Sequence, residues 1–173
     1  ISISAMGQAT FQTIASGSWS TVGTWTITAG SDGDGNNLPD SNDDVTITNT
    51  YSVTYTAANV ACKNLTIDAG GKLSSTSSAR TVTVHGTTFS NAGTLSGSGN
   101  ISFASPANGT VDISGAGSFT NTGSCSFTKG GSIAANVTMS SLLSMSLASS
   151  TYTITNNGSI TIPNGTLSQG ANQ

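Results

Sequence analysis

The sequence predicts an all-β protein that folds as a β-solenoid, a parallel β-helix with short, irregular coils and an N-terminal cap. Three observations predict it: short apolar segments with a period of two, turn residues between them, and a motif that recurs along the chain. An antiparallel β-sandwich, which also has many short strands at regular spacing, is the alternative. The recurring motif favours the solenoid, because the corners of a sandwich have no reason to repeat.

Each predicted strand carries two apolar residues on one face with a small polar residue between them. These segments are VTI at 45–47, LTI at 65–67, VTV at 82–84, ISF at 101–103, VDI at 111–113, CSF at 125–127 and ITI at 160–162. Clusters of Gly, Asn and Ser separate the segments and indicate tight turns.

The recurring motif is FSNAGTL at 89–95, FTNTGSC at 119–125 and ITNNGSI at 154–160. Shorter echoes are offset by 17 or 18 residues, so we expect stacked coils of roughly 15 to 20 residues over a continuous apolar column. Asn91, Asn121 and Asn156 hold equivalent places in the motif. Stacked, they would form an internal amide ladder at one corner. The alternative is that Asn merely tolerates the turn dihedrals.

Charge is scarce in this chain. Charged residues make up 6% of it, and there are only four Lys and Arg against seven Asp. A duplex-binding protein makes about six to ten phosphate contacts, so nucleic-acid binding is excluded. No apolar run approaches the roughly 20 residues of a membrane span, so we expect no membrane insertion.

We divide the chain into residues 1–44, with an N-terminal strand, a Trp-containing cap and an Asp-rich loop, and residues 45–173, the coils of a single structural domain. Trp19 and Trp25 are expected to cover the first coil and prevent uncontrolled stacking. The alternative is a platform on which a sugar ring stacks. Residues 1–14 alternate and could supply a strand to a neighbouring subunit, while residues 1–9 also resemble the end of a signal peptide.

Five of the seven acidic residues fall in SDGDGNNLPDSNDD, residues 31–44, which we call the Asp-rich loop. Clustered carboxylates repel one another, and a divalent cation removes that repulsion. The spacing matches positions one, three, five, nine and twelve of a calcium loop. The predicted calcium ligands are Asp32, Asp34, Asn36, Asp40 and Asp43. Asn37 stands where an EF-hand needs Gly, so this is not an EF-hand. The alternative is a solvated loop.

Three segments together resemble the opening of secreted, cell-surface β-solenoid repeat proteins of Bacteroidota type, often exported by the type IX route, and of G8-like modules. They are ASGSWSTVGTWTI at 15–27, LPDSNDDVTI at 38–47 and NLTIDAGGKLS at 64–74. The matching residues are Trp19, Trp25, Pro39, Asp43, Val45, Ile47, Leu65, Ile67, Gly71 and Leu73. The resemblance implies a secreted protein at the cell surface or in the extracellular matrix, and it describes architecture rather than chemistry.

Cys62 and Cys125 occupy the same alternating positions as the apolar residues of their strands, so their side chains should point inward. They are 63 residues apart, about three coils, which corresponds to about 15 Å along the stack. A disulfide needs Cα atoms within about 7 Å, so we expect two buried, free thiols.

Catalysis is not expected. The chain has one His, His85, and no Glu, and the acids outside the loop are Asp68 and Asp112 alone. Enzymes built on β-helices need acids or bases grouped along one face, and no such group can be assembled.

The predicted function is therefore that of a non-catalytic extracellular structural protein: a surface filament subunit that self-associates, or an adhesin module, stabilised by calcium. The alternative is a carbohydrate-binding module that contacts surface glycans through Trp19 or Trp25. A minor alternative is an ice-binding solenoid. It rests on five Thr-x-Thr pairs, at 24/26, 46/48, 54/56, 81/83 and 151/153.

Overall fold

The computed structural model describes residues 7–106, 109–140, 144–148, 152–162 and 166–169. Within them, short strands build a three-sided, parallel β-solenoid, which confirms the predicted fold class. From residue 44 onward the chain visits sheets 1, 2 and 3 in turn, and the strands inside each sheet pair with those one turn earlier and one turn later. Successive turns therefore lie on one another as the recurring motif indicates.

Sheet 1 contains β1 (Ala9–Thr13), β3 (Trp25–Gly30), β4 (Asp44–Ile47), β7 (Leu65–Ile67), β10 (Thr88–Asn91), β13 (Val111–Ser114), β16 (Gly131–Ile133) and β19 (Ile154–Asn156). Sheet 2 contains β2 (Gly17–Ser18), β5 (Ser52–Thr54), β8 (Lys72–Ser75), β11 (Thr94–Gly97), β14 (Ser118–Asn121), β17 (Thr138–Met139) and β20 (Ser159–Ile160). Sheet 3 contains β6 (Val60–Cys62), β9 (Thr81–Val84), β12 (Asn100–Phe103), β15 (Ser124–Phe127), β18 (Ser144–Leu147) and β21 (Thr166–Gln169). A 3-10 turn spans Val22–Thr24.

The turns lie at or above the upper end of the expected 15 to 20 residues. Register partners in neighbouring turns lie 19 residues apart at Val82 and Ile101 and 24 apart at Phe89 and Ile113. Each turn holds three strands and three corners, and the shorter echoes in the sequence come from strands on different sides of one turn. The unequal corners also explain why the motif intervals are uneven.

The period-two segments place their apolar residues inside the solenoid. In β7, β9, β12 and β15 the apolar residues are buried and the polar residues between them are partly exposed. Aromatic rings extend this column within and between turns: the ring centroid of Phe103 lies 5.4 Å from that of Phe89 in the same turn and 4.9 Å from that of Phe127 in the next turn. Burial of this apolar column is the main favourable term for the fold.

Corner glycines let neighbouring turns approach closely. Gly97 and Gly115 have φ angles of 97° and 95°, a backbone region that other residues rarely adopt. A Cβ at Gly97 would collide with the carbonyl oxygen of Ser75, and one at Gly115 with that of Asn91. These positions therefore need Gly for both conformation and space.

The N-terminal segment is part of the solenoid. β1 runs parallel to β4 and antiparallel to β3, and Phe11 is buried in the common core. The expectation that this alternating segment pairs with a neighbouring subunit is wrong for residues 9–13, because their own sheet occupies both edges of the strand. Residues 1–6 lie outside the described residues.

Both cysteines are buried and free, as expected. Cys62 lies on β6 and Cys125 on β15, three turns apart in sheet 3. Burial raises the pKa of the Cys125 thiol to about 12 and raises that of Cys62 further. Both side chains act as small apolar residues of the core.

Candidate functional site

The N-terminal end brings together the tryptophans and the Asp-rich loop. Trp19 and Trp25 are 2% and 4% exposed and pack edge to face, with ring centroids 5.2 Å apart. Trp25 Nε1 donates to the carbonyl oxygen of Trp19 at 2.8 Å, and Trp19 N–H donates to the carbonyl oxygen of Thr54 at 2.8 Å. The pair thus fills the end of the apolar column, as the cap interpretation expects.

The alternative role of Trp19 and Trp25 as a sugar-stacking platform is wrong for this structure. Stacking on a pyranose ring requires an exposed indole face, and both rings are buried against each other and the core. Beside the pair lies a hollow of about 360 Å³, which Trp19 lines together with polar residues such as Asn36, Asp40 and Asn59.

The carboxylates of the Asp-rich loop accept hydrogen bonds mainly from backbone N–H groups of the same loop. Asp32 Oδ2 accepts from Asn37 N–H at 2.6 Å, Asp34 Oδ1 from Asn36 N–H at 3.0 Å, and Asp40 Oδ1 from Asn42 N–H at 2.7 Å. Asn36 Oδ1 accepts from Leu38 N–H at 2.6 Å. These contacts are turn-forming, with each side chain replacing a backbone partner that the loop lacks.

Asp43 joins this loop to the solenoid. Its side chain is buried, with Oδ1 accepting from Ala9 N–H at 2.8 Å and Oδ2 from Asp40 N–H at 3.0 Å. Burial raises the pKa of Asp43 above its ordinary value of 3.8, and the nearby carboxylates of Asp40 and Asp32 raise it further. The two backbone hydrogen bonds lower that pKa and offset part of the increase.

The structure brings the predicted calcium ligands into one loop but not into one ligand shell. Among the described residues, no group of three or more His, Cys, Asp or Glu side chains is placed to hold a metal ion. Most of their oxygens are engaged by N–H donors instead, while Asp32 Oδ1 is buried without a hydrogen-bond partner. Calcium binding by Asp32, Asp34, Asn36, Asp40 and Asp43 stays a prediction, and it would require part of this hydrogen bonding to be exchanged.

The predicted amide ladder is wrong. Asn91 and Asn156 lie on sheet 1, where their register partners are Ile67 and Ile133, while Asn121 lies on sheet 2. The recurring motif therefore marks corners on different sides of the solenoid. The reason is that its intervals of 30 and 35 residues are not multiples of one turn.

Asn91 and Asn121 nevertheless bridge turns individually. Asn91 Nδ2 donates to the carbonyl oxygen of Ser118 at 3.0 Å, and Asn121 Nδ2 donates to that of Gly99 at 2.7 Å. Asn156 is exposed, and its Oδ1 accepts only from nearby Gly158 N–H, at 3.0 Å, among the contacts described. Two of the three asparagines thus satisfy backbone groups without stacking on each other.

A different set of asparagines occupies the corners that enter strands. Asn59 Oδ1 accepts from Thr81 N–H at 3.0 Å, Asn64 Oδ1 from Thr88 N–H at 3.0 Å, and Asn100 Oδ1 from Ser124 N–H at 3.0 Å. Each hydrogen bond reaches one turn ahead. We missed these residues in the sequence, although each stands directly before the first apolar residue of a strand, in NV, NL and NI.

The Thr-x-Thr pairs do not share a face. Thr46 lies on sheet 1, Thr54 on sheet 2 and Thr83 on sheet 3, and Thr151 lies outside the described residues. Sheet 3 does carry outward hydroxyls in register, although mainly from serine. One row is Thr83, Ser102, Ser126, Ser146 and Ser168, and a second is Ser124, Ser144 and Thr166.

No protein-family model, curated protein or solved structure matches this chain. The resemblance to secreted β-solenoid repeat proteins therefore depends on the sequence motifs alone. Across the part of the chain that the structure describes, no helix has the length and apolar character needed to cross a membrane.

Proposed function

We propose that this protein is a non-catalytic, extracellular structural module of the adhesin type, a rigid rod that presents hydroxyl-rich faces. The observation that carries this proposal is the continuous side-chain core beneath three faces of short polar residues. In sheet 3, for example, Ile101 and Phe103 fill the interior and Ser102 faces outward. Such a rod holds its outward-facing residues at fixed positions relative to one another. Its surface also carries little charge.

The two ends of the rod differ, and this difference bears on self-association. At the N-terminal end, β3 flanks the edge of sheet 1, and the Asp-rich loop lies beside β6 at the edge of sheet 3. At the other end, β19, β20 and β21 are the last described strands, and Leu167 on β21 is 76% exposed. A head-to-tail filament uses both ends of the rod as contact surfaces, whereas a two-fold pair uses only one, here the β19–β21 end. We therefore favour pairing at the β19–β21 end over filament growth.

Sedimentation velocity across a range of protein concentrations tests this arrangement. We expect a monomer–dimer equilibrium that Leu167→Lys shifts to monomer, because the charge would lie in the apolar contact. Val22→Lys is the matched control, since Val22 is 51% exposed and lies at the covered end. A monomer at every concentration, or equal effects of the two variants, would contradict the pairing.

Ice binding is the second candidate, favoured by the registered hydroxyl rows of sheet 3. Their spacing is about 4.8 Å between strands and about 6.7 Å along a strand, a regular two-dimensional array comparable to that of water oxygens in ice. Thermal hysteresis measured for the protein and for Ser126→Tyr tests it. Ser74→Tyr, on the outer face of sheet 2, is the control. Absence of hysteresis in the unmodified protein would reject this candidate.

A further inference from the structure

A chain of polar contacts joins the start of β1 to the corner between β6 and β7. Lys63 Nζ donates to Gln8 Oε1 at 2.7 Å, and Gln8 Nε2 donates to Asp44 Oδ2 at 2.7 Å. Asp44 Oδ1 accepts a further hydrogen bond from Asn64 Nδ2 at 2.8 Å. These partners fix the orientation of the Gln8 amide, because only its oxygen accepts from an ammonium and only its nitrogen donates to a carboxylate.

The contact lies in an open hollow of about 390 Å³ that Gln8, Lys63 and His85 line together. The Lys63 amine and the Gln8 carboxamide are the two reactants of an intramolecular amide exchange. The nitrogen of that carboxamide also contacts a carboxylate, that of Asp44. Gln8 and Lys63 are 55 positions apart in the sequence, so this contact exists in the folded chain only. The folded arrangement holds the two side chains together, so their reaction needs no encounter between separate molecules in solution.

We propose that Lys63 and Gln8 become joined by an isopeptide bond. Rotation of the lysine side chain carries Nζ from Oε1 to the adjacent Cδ of Gln8. The Nζ–Cδ bond forms, the Cδ–Nε2 bond breaks, and Nε2 leaves as ammonia. Nζ gives up two protons: one passes to Nε2 by way of Asp44, which already accepts a hydrogen bond from that nitrogen, and the other goes to water, from which the ammonia takes it up. No oxidation or reduction is involved.

The surroundings favour completion of this step. The hollow is open, so ammonia escapes to solvent and the reverse reaction loses its nucleophile. The product links β1 to the β6–β7 corner and closes a loop of the chain, which restricts the unfolded state in the way a disulfide does. The link would secure the N-terminal turn of the solenoid, and the inference does not depend on the proposed function.

Intact-mass spectrometry and peptide mapping of the purified full chain, after prolonged incubation, test the proposal. We expect a mass lower by one ammonia and a branched peptide that contains both Gln8 and Lys63. Lys63→Arg keeps the positive charge and the donor but not the nucleophile, so it should show full mass. Lys72→Arg, an exposed lysine on β8, should keep the deficit. Asp44→Asn should slow the loss of ammonia about a hundredfold, since it removes the proton relay.

Circular dichroism establishes that each variant is folded, and Gln8→Met, which lacks the carboxamide but keeps the length, replaces Lys63→Arg if that variant is not. A chain of full mass, with Gln8 and Lys63 recovered in separate linear peptides, overturns the proposal. Loss of ammonia that maps to an Asn–Gly step such as Asn157–Gly158 overturns it as well, because it reports succinimide formation instead.

Discussion

Phe103 is the position at which the continuous core can be tested most sharply. Its side chain is 1% exposed, and its ring contacts that of Phe89 in the same turn and that of Phe127 in the next turn. As a large-to-small substitution in the core, Phe103→Ala lowers the free energy of unfolding by about 3–5 kcal/mol. Part of this loss comes from the two lost ring contacts. We therefore expect the free energy of unfolding to fall by about 4 kcal/mol. For a chain of this length, that corresponds to a decrease in Tm of about 8–16 °C.

Urea unfolding followed by circular dichroism measures this change. Ser102→Ala is the matched control, because Ser102 lies beside Phe103 on the same strand but on the outer face, where substitutions change stability by about 0.5 kcal/mol or less. A loss of less than about 1 kcal/mol for Phe103→Ala, or an equal loss for Ser102→Ala, would contradict this expectation. Either result would mean that the inward and outward faces of β12 are assigned incorrectly.

Three further predictions concern the titratable residues. Burial raises the folded-state pKa of Asp43, so the stability that this carboxyl group contributes is present below pH 3.8 and is lost as the pH rises through the folded-state value. Asp43→Asn should remove this pH dependence from a profile of Tm against pH, and an unchanged profile would contradict the prediction. A thiol reagent should modify neither Cys62 nor Cys125 until urea unfolds the chain, and reaction in the folded state would contradict their burial. Calorimetry should detect calcium with a Kd on the order of 10⁻⁴ to 10⁻³ M that Asp34→Asn abolishes and Asp68→Asn preserves; no heat of binding would reject the calcium prediction.

The fold class could be predicted because the few residues of each strand show by themselves which of its faces points into the core. A segment such as Val82–Val84 shows both its strand and its buried face in three residues. The length of a turn could not be predicted, since it depends on how many strands and corners close one circuit. The number of strands and corners in one circuit depends on the three-dimensional path of the chain, and a motif that marks one corner does not reveal it.

The candidate site was predictable only in part, for the same reason. The cap position of Trp19 and Trp25 followed from their place before the first coil. The amide ladder failed because equal motifs fell on different sides of the solenoid. The contact between Gln8 and Lys63 joins residues of different turns, and no local pattern in the sequence marks it.

Negative-stain electron microscopy of the purified protein, with calcium and after chelation, shows whether the solenoids form filaments. We expect short rods, single or in pairs, in both conditions, because the N-terminal end is flanked by β3 and the Asp-rich loop. Long filaments in either condition would contradict it, since they require that end to serve as a contact surface. Filaments lost on chelation would assign that contact to calcium in the Asp-rich loop.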